Sequence, residues 1–277
     1  MTFGGLIVSK KIKAFLRNYK PEHHWHINSK KANNTFFSLS HHFKTHPNIF
    51  FNKFIKQTQP VESAYFDFWN KRKIFYETKR QEYIKAIPFS DMLAFKHVLE
   101  RIPNDYQLQL SNSSTVRYAQ LFDLNASLKV FCNRGTSGID GSVSTAVGAS
   151  VYSDSPTLLI SGDLSFLYDS NGLWNNYLRK DLRIIVINNE GGGIFRILPG
   201  HRETDNFQTF FETPQKLNIS HICNLYDIEF NTIDNLHSLQ NILSEFYASS
   251  EKPKILEIKT PKSINNQILL NYFDFIS

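Results

Sequence analysis

Cysteine is nearly missing: Cys132 and Cys223 are the two in 277 residues. They show no metal-ligand spacing and are too few for a disulfide framework, so a reducing cytoplasm is the expected location. Long apolar runs are missing too, since none nears the roughly 20 residues that a membrane span requires. Leu6-Ile7-Val8, close to the first residue, is far too short for a signal-peptide core. No internal repeat and no low-complexity tract interrupts the chain. Basic residues are in excess, with a net charge of +6. They are never concentrated, and the densest run, Lys71-Arg72-Lys73, is only three long. The excess therefore reads as solvated faces with no nucleic-acid partner, part of it suiting acidic or phosphate ligands.

What is present is enough apolar matter for a core: 41% of the residues are hydrophobic and 14% aromatic. That supports one large domain or one and a half ordinary ones. Two short β-forming runs, Thr157-Leu158-Leu159-Ile160 and Ile184-Ile185-Val186-Ile187, read as buried parallel strands. Each ends in a polar tip, Ser161-Gly162-Asp163-Leu164-Ser165 and Asn188-Asn189-Glu190-Gly191-Gly192-Gly193. In a doubly wound α/β sheet that edge binds ligands.

The chemistry of those tips is that of a hard cation. Asp163, Asn189 and a main-chain carbonyl at Gly191 are oxygen donors, which suit Mg²⁺, with Mn²⁺ as a substitute, and not a soft metal. Glycines beside them, Gly162 and Gly192 among them, let main-chain N–H groups approach a diphosphate. Ser137, Gly138, Leu164 and Ser165, at strand tips facing the same crevice, add hydroxyl and amide donors. Asp163 and Asn189 stand 26 positions apart (189 − 163), the length of one loop, one helix and one strand.

Gly-Asp, this gap, then Asn-Asn resembles the thiamine-diphosphate signature shared by transketolases, pyruvate decarboxylase and acetolactate synthase. The usual form is Gly-Asp-Gly, whereas Leu164 follows Asp163 here. That departure is similar to the 2-succinyl-5-enolpyruvyl-6-hydroxy-3-cyclohexene-1-carboxylate synthase (MenD) family. The likeness also rests on Asn133-Arg134-Gly135-Thr136-Ser137-Gly138-Ile139-Asp140-Gly141 and on Gly193-Ile194-Phe195-Arg196-Ile197-Leu198-Pro199-Gly200. It covers nearly all of the chain, as the C-terminal half of such a synthase.

The resemblance implies a thiamine-diphosphate-binding fold: a mostly parallel, doubly wound sheet over residues 89–277. A remnant of a central α/β domain (1–60) and a linker helix (61–88) would precede it. It implies a transferase of menaquinone biosynthesis that decarboxylates 2-oxoglutarate and adds the succinyl carbanion equivalent to isochorismate. Ser113, Arg117 and Arg134 would bind substrate carboxylates, for which guanidinium is the suited group. Ile139 would prop the cofactor into its bent shape, and Ile194, Phe195 and Leu198 would wall off the intermediate. No catalytic residue is assigned, because in the family the activating Glu belongs to a pyrimidine domain of the neighbouring subunit, in a homo-oligomer. The chain is expected to start after that domain and to be inactive alone. Two other readings stay open: a non-catalytic diphosphate-binding subunit with a partner chain, and a relative using another 2-oxo acid, against which the two arginines argue.

The element pattern agrees with a fold of this kind. Helices are expected over 10–19 (capped by Ser9), 63–87, 91–100, 142–149, 168–178, 217–225 and 236–246. Strands are expected at Leu6-Ile7-Val8, 106–110, 128–132, 157–160, 184–187 and 254–258, with a loop over 199–214. The aromatics of 63–87 read as core. Six of the ten histidines fall between 20 and 60; they read as structural, with His41 and His42 on a helix.

Overall fold

The computed structural model describes residues 1–5, 7, 9–198 and 204–277. Two compact units divide the chain, Met1–Asn70 and Lys71–Ser277. In the first, strands β1 (Thr2–Phe3), β2 (His24–Ile27) and β3 (Leu39–Phe43) pair in parallel in that order. Helices α1 (Lys10–Asn18) and α2 (Pro47–Phe54) accompany them, and Ser9 caps α1 as expected, its hydroxyl accepting the Ile12 N–H. Of the expected strand at Leu6-Ile7-Val8 only Ile7 lies among the described residues, and it is not in a strand.

His41 and His42 lie on β3, not on a helix. Alternation along the strand puts His41 and Phe43 on one face, where their rings meet at 4.4 Å, while His42 pairs with His26 of β2. Thr2 Oγ1 lies 2.8 Å from both His24 Nε2 and His26 Nδ1. Among the described residues no three His, Cys, Asp or Glu side chains are grouped so as to hold a metal.

Helix α3 (Tyr65–Ala86) forms, but most of its aromatics are not core. Tyr65, Phe66, Phe68, Trp69, Phe75 and Tyr76 are all exposed. At about 100° per residue they fall within one half of the helix circumference, with the exposed Ile74 opposite. Only the C-terminal end packs: Ile84 is buried and the Tyr83 hydroxyl donates to the Ile268 carbonyl at 2.7 Å.

The second unit is built on six parallel strands: β4 (Gln107–Leu110), β5 (Lys129–Cys132), β6 (Thr157–Gly162), β7 (Arg183–Asn188), β8 (Glu229–Ile233) and β9 (Lys254–Lys259). Their spatial order is β5-β4-β6-β7-β9-β8. Helix α4 (Asp91–Glu100) precedes β4, and α5 (Ser114–Ala119), α6 (Ser142–Val151) and α7 (Asp163–Tyr168) lie between the strands from β4 to β7. The short α8 (Asp205–Phe207), then α9 (Ile219–Leu225), α10 (Leu236–Tyr247) and α11 (Asn265–Ile276), follow β7.

Both sheet faces are buried, which is why β6 and β7 read as unbroken apolar runs. Leu158, Ile160, Ile185 and Ile187 face a core shared with α4, α10 and α11. Leu159, Ile184 and Val186 face the other way, into a core with α6 and α9. The chain leaves β4 toward β5 on one side and returns to β6 on the other, so a topological switch point lies between β4 and β6. No helix among the described residues is long and apolar enough to cross a membrane.

A further element is corrected. Residues 168–178 do not form a helix; the helix starts earlier, at Asp163, and a 3₁₀ turn, Ser170–Leu173, follows it. Asn171-Gly172 favours a turn, and the Asp169 carboxylate is tied to α6, accepting both the N–H and the hydroxyl of Ser144 at 2.6 Å. Gly172 sits so close to α6 that a Cβ there would meet the Ser144 main chain at 2.9–3.0 Å. β8 and α11 are not among the elements expected from the sequence. Of the loop at 199–214, residues 199–203 lie outside the described residues, and α8 stands within the rest.

Candidate functional site

Three strand ends meet at the switch point. Residues following β4, β6 and β7 line one cavity of about 210 Å³. Of the residues singled out in the sequence, Ser113, Ile139, Gly162, Asp163, Leu164, Ser165, Asn189, Gly191, Gly192, Ile194 and Phe195 are on its wall. Arg117, Arg134, Ser137, Gly138 and Leu198 are not: Arg117 is exposed on the last turn of α5, and Ser137 and Leu198 are exposed as well.

Arg134 and Gly138 are nevertheless tied to the cavity through Asn112, a wall residue that the sequence reading did not name. Its amide nitrogen donates to the carbonyls of Gly138 at 2.7 Å and Asn133 at 2.8 Å, and its oxygen accepts from Arg134 Nη1 at 2.7 Å. A buried Asn with both ends occupied fixes this loop. The signal was there, since Asn112 lies in the polar tip after β4. Backbone strain marks the same places: Ser113 (φ +64°, ψ −128°) and Glu190 (φ +62°) are non-glycine residues at positive φ.

Asp163 opens α7 directly from the end of β6 and is 2% exposed. Its carboxylate accepts the Leu164 N–H at 2.8 Å, with further support from the Gly191 main chain and from Gln215 Nε2 at 3.4 Å. All three are neutral. Burial outweighs them and raises the Asp163 pKa from 3.8 to about 6. A carboxylate held this way fits a bound cation, which would supply the missing opposite charge. Asn189 donates its amide nitrogen to Asp91 Oδ2 at 2.9 Å, so its oxygen remains as an acceptor. Gly191 has φ +132°, and a Cβ there would run into the Glu212 carbonyl. The donor set fits a hard divalent cation. Gly191→Ala is expected to displace the main chain beside Asp163 and to weaken Mn²⁺ binding at least about tenfold in a calorimetric titration, as lost support of metal ligands typically does. Unchanged Mn²⁺ affinity would remove Gly191 from the set.

The wall beyond the glycines is held by charge. The 3₁₀ turn Gly193–Ile197 places Ile194 and Phe195 on the cavity, and Arg196 behind them clasps Glu212 through Nε and Nη2. Glu212 is 1% exposed, and Lys262 Nζ lies 3.7 Å away. Its main-chain carbonyl accepts the Gly192 N–H at 2.6 Å, and Phe195 meets Phe211 edge-on at 5.5 Å.

Residues 112–258, more than half of the chain, match the thiamine pyrophosphate enzyme C-terminal TPP binding domain. The chain belongs to this thiamine pyrophosphate enzyme family. Within the family it matches MenD synthases, as the C-terminal half. It is 54% identical over 276 residues to the 2-succinyl-5-enolpyruvyl-6-hydroxy-3-cyclohexene-1-carboxylate synthase of Christiangramia forsetii, covering 100% of this chain and 48% of that protein. To the synthase of Flavobacterium johnsoniae it is 52% identical over 273 residues, covering 99% and 49%. The chain thus spans about half the length of the curated relatives it matches. Benzoylformate decarboxylase from Polynucleobacter necessarius, a solved structure, shares the fold at a TM-score of 0.52 and 18% identity, over 65% of this chain and 34% of that one. The Leu164 departure and the spaced Asp163–Asn189 pair, read from the sequence as marks of this family, point the same way as these matches.

Proposed function

We propose that the chain is the diphosphate- and Mg²⁺-binding half of a thiamine-diphosphate-dependent synthase of menaquinone biosynthesis. The reaction is decarboxylation of 2-oxoglutarate and transfer of its succinyl unit to isochorismate. One observation carries this reading: Asp163, Asn189 and Gly191 meet on a single cavity, in a chain more than half identical to synthases of that name. Thiamine diphosphate, when bound, supplies the carbanion chemistry. Asp163, the Asn189 oxygen and the Gly191 carbonyl would hold Mg²⁺ or Mn²⁺, with Ser137, Gly138, Gly162, Leu164, Ser165 and Gly192 on the diphosphate. Ile139 would prop the cofactor into its bent shape, and Ile194 and Phe195 on the wall would exclude water, with Leu198 joining them only once it is covered. Ser113 on the wall and Arg134, tied to it through Asn112, would take the substrate carboxylates, with Arg117 reaching them from outside the cavity.

A cavity of about 210 Å³ is smaller than the roughly 300–1,000 Å³ that encloses a whole ligand. That leaves part of the cofactor to be enclosed elsewhere; in our reading this is a pyrimidine domain of a neighbouring subunit, which would carry the activating Glu, in a cytoplasmic homo-oligomer. The test is release of CO₂ from 2-oxoglutarate. The chain alone is expected to release none; with the remaining half of the Flavobacterium johnsoniae synthase supplied, release should need thiamine diphosphate, Mg²⁺ and isochorismate. Arg134→Ala in that pair should raise the KM for the acidic substrates about 10–100-fold, as loss of a charge-assisted pair does. Activity of the chain alone, or equal turnover of pyruvate, would overturn the proposal.

A further inference from the structure

Asp91 lies 98 positions before Asn189 and on another element, as the first residue of α4. An acid there suits the helix N-terminus, and nothing more is visible in the sequence. In the fold it is 2% exposed. Its N–H donates to Asn265 Oδ1 at 2.9 Å, and its carboxylate accepts the Thr260 hydroxyl at 2.5 Å and the Asn189 amide at 2.9 Å. The neighbouring Asn188 is held in the same manner on the opposite side, its amide nitrogen donating to the buried Glu257 at 2.6 Å. Two consecutive carboxamides at the tip of β7 are each gripped at the nitrogen by a buried carboxylate.

Hydrogen-bond satisfaction alone does not call for such an arrangement. A hydroxyl or an amide in place of Asp91 would satisfy Asn189 and avoid burying a charge, which costs several kcal/mol. A neutral partner, however, accepts from the amide nitrogen or donates to the amide oxygen, so it leaves the carboxamide free to flip. The Asp91 carboxylate accepts at both oxygens, Oδ1 from the Thr260 hydroxyl and Oδ2 from the Asn189 amide. It forces the nitrogen toward itself and the oxygen toward the other side, where Asn189 shares the cavity with Asp163 and Gly191.

We propose that Asp91 is a positioning residue for a divalent cation: it fixes the Asn189 carboxamide with its oxygen, not its NH₂, presented to the ion. This role rests on the reading of Asp163, Asn189 and Gly191 as the cation's ligands. Asp91 itself does not touch the ion.

The test is calorimetric and EPR titration of the 277-residue chain with Mn²⁺ in the presence of thiamine diphosphate. Asp91→Leu is expected to weaken Mn²⁺ binding about 10–100-fold, the usual loss when the group behind a metal ligand is removed. Asp91→Asn, which can donate as well as accept and so lets the Asn189 amide turn either way, should recover only part of it. In the Asn189→Ala background Asp91→Leu should cost nothing further, whereas a merely structural role predicts the same loss in both backgrounds. Should Asp91→Leu not fold, Asp91→Ser keeps an oxygen at the helix start but stops short of the amide, and serves in the same cycle. Parental affinity in a folded Asp91 variant, or additive losses in the cycle, overturns the proposal. Failure of the underlying site reading looks different: the parent then binds no Mn²⁺, or Asp163→Ala and Asn189→Ala bind it as the parent does.

Discussion

Asp163→Asn is expected to do two opposite things, stabilising the metal-free fold at neutral pH while removing metal-dependent cofactor binding. The first follows from burial. With the folded pKa raised from 3.8 to about 6, the native state holds a proton between about pH 4 and 6 that the unfolded chain has already lost. Stability therefore falls as pH rises through that window and stays lower above it. A shift of about 2 units corresponds to at most about 3 kcal/mol, which the neutral, isosteric Asn would not forfeit. Denaturant unfolding without metal should show the variant more stable at pH 7 and equal to the parent near pH 4.

The second effect follows from the same carboxylate. A divalent cation supplies the charge that the neutral donors around Asp163 lack, so Mg²⁺ with thiamine diphosphate should raise the parent's Tm by mass action. The variant should show no such rise, with cation affinity down at least about 100-fold, beyond what loss of a group behind a ligand costs. A variant no more stable than its parent at pH 7 would show that burial of Asp163 carries no cost. A variant that still binds cofactor through Mn²⁺ would remove Asp163 from the site.

Glu212→Ala is expected to be the most damaging substitution for the fold around the cavity. Replacing a whole buried ion pair with apolar residues is often harmless, but removing one partner strands the other, at about 3–5 kcal/mol. Here the pairings of the buried Glu212 with Arg196 and with Lys262 would both be removed. The Arg196 hydrogen bonds hold the Glu212 carboxyl below its usual value of 4.5. Its contribution is therefore complete above about pH 4.5 and is lost as pH falls through the lowered pKa. Urea unfolding should show the gap between variant and parent in full at pH 7 and narrowing below pH 4. An equal gap at both pH values would mean the loss is packing, not charge. Because the Glu212 carbonyl also accepts the Gly192 N–H, a loosened Glu212 should loosen the metal loop and the Ile194–Phe195 wall with it.

The parallel sheet and most of the cavity were legible in the sequence for a local reason. Buried parallel strands are short continuous apolar runs, and the ligand edge is whatever polar residue follows each run. Asp163, Asn189 and Gly191 could be read from that pattern, and Leu164 from the motif it departs from. The same local reading failed where a contact from elsewhere decided the outcome. Ser144 on α6 holds Asp169 and ends the helix that the 168–178 pattern suggested. Pairing with β2 puts His41 and His42 into a strand, and α3 leaves most of its aromatics exposed.

The sequence by itself determined the strand runs, their polar tips and the oxygen donors at two of them, because these depend on residues within a few positions of one another. Only the tertiary structure decided which way those donors face. Asp91 and Glu257 grip the nitrogens of Asn189 and Asn188 from 98 and 69 positions away, and Glu212 reaches back 16 to Arg196. An amide has two ends, and which one meets a ligand depends on a partner brought by the fold.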